Sequence, residues 1–299
     1  MSRTDRARVW KLAAGTCVAV LVAAGCGGEG GGGGGGEMAE EGGMEQVENP
    51  VDPATAGTIS GRVTFTGTPP EAEAIDMAGE QVCLDKHDGP PMNPLAVVGP
   101  EGGLGDVFVY VKSGAAIEGL EFPTPSDAVV LDQDGCIYHP HVMALSTGQT
   151  LTVHNSDDVL HNINATPEQN RGFNRSQPTS GMEFQTSFAV PEVMIPVRCD
   201  VHGWMSAYIG VTGNPYHGVT GEDGSFTLAD LPPGEYEVEA WHERYGTSTQ
   251  TVTVPASGEV DVTFEFDEQM AGRTVPLAPA LVVDHTEGTL RRVASPSQQ

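Results

Sequence analysis

Apolar and polar residues alternate in short runs along most of the chain. Thr58 to Phe65, Asp106 to Lys112, Thr150 to Asn155, Met182 to Phe188, Met194 to Arg198 and Ala207 to Val211 are each β-branched or aromatic and bounded by Gly, Pro, Asn or Asp. That is the signature of strands. Leu151 and Val153 alternate with Thr150, Thr152 and His154, which predicts a half-buried strand with His154 outward. No convincing amphipathic helix appears. The pattern predicts an all-β chain, with a Greek-key β-sandwich as its main body. A second group follows residue 216: Gly221 to Leu228, Leu231 to Trp241, Thr249 to Val254 and Val260 to Phe266 predict a small second sandwich. Residues 268–299 have weak periodicity and receive no assignment.

The ends depart from this pattern. Arg3, Arg6, Arg8 and Lys11 precede a short apolar stretch from Leu12 to Ala24, too short to span a bilayer comfortably, as in a signal peptide. Leu21 to Cys26 resembles the bacterial lipoprotein lipobox, which implies a lipoprotein signal peptide over residues 1–26, cut ahead of Cys26 so that the lipidated Cys26 begins the mature chain, and attachment to a bacterial membrane, facing periplasm or cell surface. An ordinary signal peptide cut nearby is the competing reading. Residues 27–56 are Gly-rich and then acidic, and are expected to stay disordered because they bury too little apolar surface. A flexible tether of this length reaches roughly 30 Å.

Composition narrows the partners. The 299 residues carry 41 acidic and 14 basic side chains, a formal charge of −27. Such an excess disfavours nucleic acid, and it suits either a basic protein partner or a plain solvated surface. Outside the leader the cysteines are Cys26, Cys83, Cys136 and Cys199. In an oxidising compartment two of the last three should pair. Cys83 and Cys136 are the natural couple because Cys199 sits in a motif of its own, and the bridge would stabilise by about 4 kcal/mol on the chain-entropy account.

That motif is Val197 to Ser206, in which Cys199, His202 and Met205 place a thiolate, an imidazole and a thioether in one tight loop. One thiolate, two imidazoles and a weak axial thioether suit copper in both oxidation states. His161, which follows the Thr150 to Asn155 strand, is the candidate for the second imidazole. The spacing Cys-x-x-His-x-x-Met, with His161-Asn162 upstream, resembles the blue-copper cupredoxins of the amicyanin and plastocyanin type over about residues 95–213. The resemblance implies one copper held by His161, Cys199, His202 and Met205, with Asn162 bonded to the Cys loop. The segment 216–267 looks like the carboxypeptidase regulatory-like, transthyretin-type fold, whose modules serve as spacers, sugar binders or interaction surfaces. The domains expected are therefore 57–215, a copper domain with an N-terminal β extension, and 216–267, the regulatory-like sandwich.

Other features are weighed beside these. His139 and His141 are two apart on one strand, giving either a second metal site or satisfied sheet histidines. Trp204 either lines an apolar patch around an exposed edge of His202 or packs on a neighbouring loop. There is no Ser/His/Asp order, no phosphate loop with a following Lys-Ser/Thr and no convincing carboxylate pair, so the chain is expected not to be an enzyme. The expected role is a one-electron carrier whose redox partner is a cytochrome or copper oxidoreductase. The alternatives are copper delivery or storage, or a scaffold binding glycan or protein through the second module. A copper enzyme using His139 and His141 would need two coppers per chain.

Overall fold

A computed structural model describes residues 47–93 and 95–272, and the backbone of two further short strands. The proposed leader, Cys26 and most of the Gly-rich tether lie outside the described residues. In chain order the elements are β1 (Gly57–Thr66), β2 (Glu73–Ala74), the one-turn helix α1 (Gln81–Leu84), β3 (Met92–Asn93), β4 (Phe108–Gly114), β5 (Val129–Asp134), β6 (Ile137–His139), β7 (Val142–Ser146), β8 (Leu151–Asn155) and β9 (His161–Ala165). They continue with β10 (Phe173–Gln177), β11 (Met182–Thr186), β12 (Glu192–Arg198), β13 (Ser206–Thr212), β14 (His217–Val219), β15 (Ser225–Leu231), β16 (Gly234–His242), β17 (Gly246–Val254) and β18 (Glu259–Asp267). The 3-10 turn Glu268–Met270 and the paired strands β19 (Leu281–Val283) and β20 (Leu290–Arg292) follow. The chain is all-β as the alternation predicts. Among the described residues no helix is long and apolar enough to cross a membrane.

Two sandwiches result. The first packs a five-stranded sheet, β10-β9-β12-β13-β7, on a four-stranded sheet, β11-β8-β5-β6. Its core joins Leu131, Tyr138, Leu145, Leu151, Val153, Ile163, Ile195, Val197 and Ile209. Because β8 lies between β11 and β5, Thr152 is buried as well as its apolar neighbours. His154 is half-buried and meets Asp132 Oδ1 at 3.1 Å, so the expected outward exposure of His154 is corrected by the strand on either side.

The second sandwich pairs β15-β1-β18 with β14-β4-β16-β17. Alternation builds it: Ile59, Val63 and Phe65 of β1 meet Phe226 and Leu228, Tyr236, Val238 and Ala240, Val252 and Val254, and Phe264 and Phe266 in one core. β1 runs parallel to β18 through the whole of its length after Gly57. At Gly61 a Cβ would stand 1.9 Å from the Val262 carbonyl oxygen, so this close approach requires glycine.

The domain boundaries therefore differ from the sequence expectation. β1 and β4, assigned by proximity to the copper domain, are the inner strands of the second sandwich's two sheets. The first sandwich is an insertion between β4 and β14, and the segment carrying α1 is an earlier excursion. Strand alternation cannot reveal this, because an inserted domain leaves the local pattern of its host unchanged. The tether also ends earlier than residue 56. Val51 is buried, Ala56 N–H donates to Asp52 O, and Ser257 donates through its N–H to Thr55 O and through its hydroxyl to Ala54 O.

The sandwiches meet over Phe108, Tyr110, Val142, Met194 and Trp241. Tyr208 and Trp241 lie 5.1 Å apart between ring centroids. The Phe108 ring fills the space over Gly210, where a Cβ would come within 2.6 Å of it.

Candidate metal centre

Two chain segments, the start of β9 and the loop from β12 to β13, converge at one end of the first sandwich. His161 opens β9, Cys199 follows the last residue of β12, and His202 and Met205 occupy the turn leading into β13. Backbone bonds close that turn: Cys199 N–H donates to Met205 O at 3.2 Å and Met205 N–H to His202 O at 2.9 Å. His202 N–H reaches Cys199 Sγ at 3.3 Å. The sequence spacing thus works by folding the thiol and the second imidazole back on each other.

The ligand atoms of His161, Cys199 and His202 lie within 4.8 Å of one another, all buried. The two Nδ1 atoms are 2.9 Å apart and His202 Nδ1 is 3.8 Å from Cys199 Sγ. A trigonal ion about 2.3 Å from sulfur and about 2.0 Å from nitrogen needs an S···N separation of about 3.7 Å, so the thiolate and His202 already stand apart by the required amount. Two nitrogens each about 2.0 Å from a trigonal ion stand about 3.5 Å apart, so the imidazoles, now 2.9 Å apart, need to separate by about 0.6 Å. Met205 is buried in the same core as Cys199. The residues present fit a single soft ion of the copper class.

The electrostatics favour a thiolate. Burial pushes the Cys199 thiol up, but the His161 ring and the neighbouring peptide N–H groups outweigh it and hold its pKa below the ordinary value. Burial lowers His161, yet the Asp157 carboxylate and the thiolate leave it raised overall. His202 is lowered by burial and by the adjacent His161.

Asn162 faces the Cys199 loop. Its Oδ1 accepts the Asp200 N–H at 2.6 Å and stands 3.4 Å from Cys199 Sγ. Its amide donates to Asn174 Oδ1 and Asp200 Oδ2, and Asn164 and Asn174 also donate to Asp200. The loop is therefore clamped from one side by three asparagines.

Sequence reasoning missed Asp157. Fully buried, it accepts from Gly135 N–H, Cys136 N–H, Lys86 Nζ at 2.9 Å and His161 Nε2 at 2.8 Å. A carboxylate on Nε2–H fixes the His161 tautomer with Nδ1 facing the centre. The signal was Asp-x-x-x-His ahead of β9, a spacing that has no meaning until the loop closes on itself.

Cys83 and Cys136 form the expected disulfide. Its position decides between the two readings of Trp204: His202 is only 2% exposed, and its Nε2 edge lies 3.8 Å from Cys83 Sγ rather than at the surface. Trp204 packs on the neighbouring turn, donating from Nε1 to Cys136 O at 2.9 Å. His139 and His141 do not converge. His139 is exposed, and beyond the intervening Pro140 the ring of His141 bonds Ser206 O at 3.1 Å and Glu243 Oε1 at 2.9 Å, at the joint between the sandwiches.

Comparisons with known proteins add the following. Residues 206–267 match the carboxypeptidase regulatory-like domain family; that span holds most of the second sandwich but neither β1 nor β4. No curated protein matches the chain. Among solved structures it is similar to a purple cupredoxin from Nitrosopumilus maritimus, with 23% identity, 29% of this chain and 100% of that one covered, and a TM-score of 0.25. A Cu-containing nitrite reductase from Thermus scotoductus gives 19% identity, 33% and 25% coverage and a TM-score of 0.27. An amicyanin variant in its Cu(I) form gives 16% identity, 36% and 99% coverage and 0.26. The chain spans a quarter of the nitrite reductase's length.

Proposed function

We propose that this chain binds one copper ion through His161, Cys199, His202 and Met205 and serves as an exported, lipid-anchored one-electron carrier rather than an enzyme. The observation that carries this reading is the buried convergence of one free thiol and two imidazole Nδ1 atoms within 4.8 Å. Copper supplies one-electron exchange when bound in such a set. The chain's own part is to hold the donors still. Asp157 fixes the His161 ring, Asn162 and Asp200 clamp the Cys199 loop, and the apolar core beneath excludes water, so little has to rearrange on electron exchange. The lipobox-like Cys26 supports the anchor, and the acidic excess supports a basic redox partner such as a cytochrome or copper oxidoreductase.

The test is the visible spectrum of folded protein offered Cu(II). An intense thiolate-to-copper band is expected, with one copper per chain, and Cys199→Ser should abolish it while leaving the fold intact. A colourless, metal-free wild-type sample would overturn the reading. Copper delivery is the second reading, favoured by the burial of the His202 edge, which leaves that ring out of a partner's reach. Fast reversible reduction by a cytochrome supports the carrier, whereas copper transfer to a chelating partner without redox turnover supports delivery.

A further inference from the structure

The imidazole of His202 lies between two sulfur groups. Nδ1 faces Cys199 and His161, and Nε2, on the opposite edge, is 3.8 Å from Cys83 Sγ. Cys83 Sγ, Cys136 Sγ and His202 Nε2 lie within 4.8 Å of one another, and all three residues are buried. His161 Nε2 meets Asp157 Oδ2 at 2.8 Å and His161 Nδ1 meets His202 Nδ1 at 2.9 Å, so the ring of His202 is left with its Nε2 edge toward the disulfide.

We propose that reduction of the Cys83–Cys136 bridge creates a second metal site, in which the two thiolates and His202 Nε2 hold Cu(I). Two thiolates and an imidazole are a soft donor set suited to the monovalent ion. Trigonal geometry at ordinary bond lengths needs about 3.7 Å between sulfur and nitrogen, and Cys83 Sγ already stands 3.8 Å from Nε2. The two sulfurs must part, and Cys136 Sγ lies within 4.8 Å of the same nitrogen. Cys136 is fixed by its N–H on Asp157 Oδ2 and by Trp204 on its carbonyl. Cys83 sits on the single turn α1, which has no side-chain cap and is flanked by the two-residue exposed strands β2 and β3. Cys83 is therefore the half held by less regular structure, although it is buried and its segment is tied down by Lys86 on Asp157 and His87 on Gly135 O. Lys86, against Asp157 beside Cys136, supplies a cation next to the bis-thiolate.

The chemistry balances. The bridge takes two electrons and two protons from a phosphine and water, giving two thiols and the phosphine oxide. Cu(I) then displaces the two thiol protons, and no electron moves in that step. The proposal does not rest on copper at Cys199, because Cys199→Ser leaves all three donors in place.

The experiment uses the full chain carrying Cys199→Ser, kept anaerobic and titrated with acetonitrile-stabilised Cu(I) against a chromophoric Cu(I) chelator, with the bridge either intact or reduced by phosphine that is then removed. Reduction is expected to add one tightly held Cu(I) per chain, and His202→Gln in the reduced form to weaken it at least about tenfold. Equal uptake by the two redox forms would overturn the proposal, as would unchanged affinity in His202→Gln. The two forms share one polypeptide, so a folding defect in a cysteine variant cannot imitate the result. A reduced chain that loses its near-ultraviolet circular dichroism also counts against the proposal, because the site needs Cys136 and His202 held together.

Discussion

The two sandwiches bury different kinds of interior. That of the second is mostly apolar and aromatic, from Ile59 and Tyr236 to Phe264 and Phe266, with Thr220, Glu239 and His242 as its buried polar side chains. The first buries Gln133, Asn155, Asp157, His161, Asn162, Gln177 and His202 beside its aliphatic core. Buried polar groups are costly unless bonded, and most here are bonded: Gln133 donates to Gln177 although its own Oε1 has no partner, Asn155 donates to Gln177 O and Val159 O, and Asp157 joins His161 to Lys86. A core that departs from apolar packing in this way marks where a chain's local choices serve function rather than stability. Continuity along the chain runs opposite to this. The first sandwich is contiguous from β5 to β13, whereas the second is assembled from three separated stretches.

The largest test of that contrast is to cut the chain. A fragment of residues 206–267, the span that matches the regulatory-like family, lacks β1 from the centre of one sheet and β4 from between β14 and β16. It should be unfolded by circular dichroism and amide exchange, because each remaining sheet is split. A fragment of residues 118–213 keeps every strand of the first sandwich but not Met77 and Cys83 of its core, and should fold with reduced stability. A cooperatively folded 206–267 fragment would break the comparison.

Next in size is the disulfide. It closes a sequence separation of 53 residues, worth about 4 kcal/mol on the chain-entropy account. Cys83→Ser with Cys136→Ser should take that stability from the first sandwich. Urea denaturation followed by amide exchange in β9 and β18 would locate the loss; an unaltered midpoint would refute it.

These two tests mirror what was legible in the sequence. The strands, the Cys199 loop and the Cys83–Cys136 pairing were legible because each is written in local period or in residue chemistry that few alternatives share. The host of the insertion was not. β1 and β18 are both plain alternating strands, and nothing in either states that Ile59 pairs with Val260 across the whole intervening domain. The surroundings of the His202 edge stayed open between two readings for a related reason: its cover comes from Cys83, far away along the chain, in a segment with almost no regular structure. Asp157 carried no signal of its own, since acidic residues are common in this chain and only the closed loop sets one against His161.

At the joint, Gly210→Ala should cost about 1–3 kcal/mol, the range for overpacking a filled interior. The added methyl would meet the ring of Phe108 at 2.6 Å. If the sandwiches unfold as one unit, amides of both lose protection together, and protection lost in the first sandwich alone would show that the joint does not couple them.

The smallest effect compares one buried carboxylate from each body. Burial raises both, but Glu192 is held below its ordinary value by the Asn170 amide and the peptide N–H groups of 168–170, and Glu239 by Lys112, Tyr110 and Thr249. A carboxyl depressed in the folded state stabilises above its unfolded pKa, about 4.3, and that contribution disappears as pH falls through the lower folded value. Glu192→Gln and Glu239→Gln should each cost on the order of 1 kcal/mol at neutral pH and flatten the loss of stability below about pH 4.3. If the bodies are coupled, either variant flattens the acid transition reported by amides of β9 and of β18 alike. If they are not, Glu192→Gln alters β9 alone and Glu239→Gln alters β18 alone. An acid profile unchanged by Glu192→Gln would remove the carboxylate from the account of the first sandwich, and with it the claim that its buried polar groups act as bonded sets.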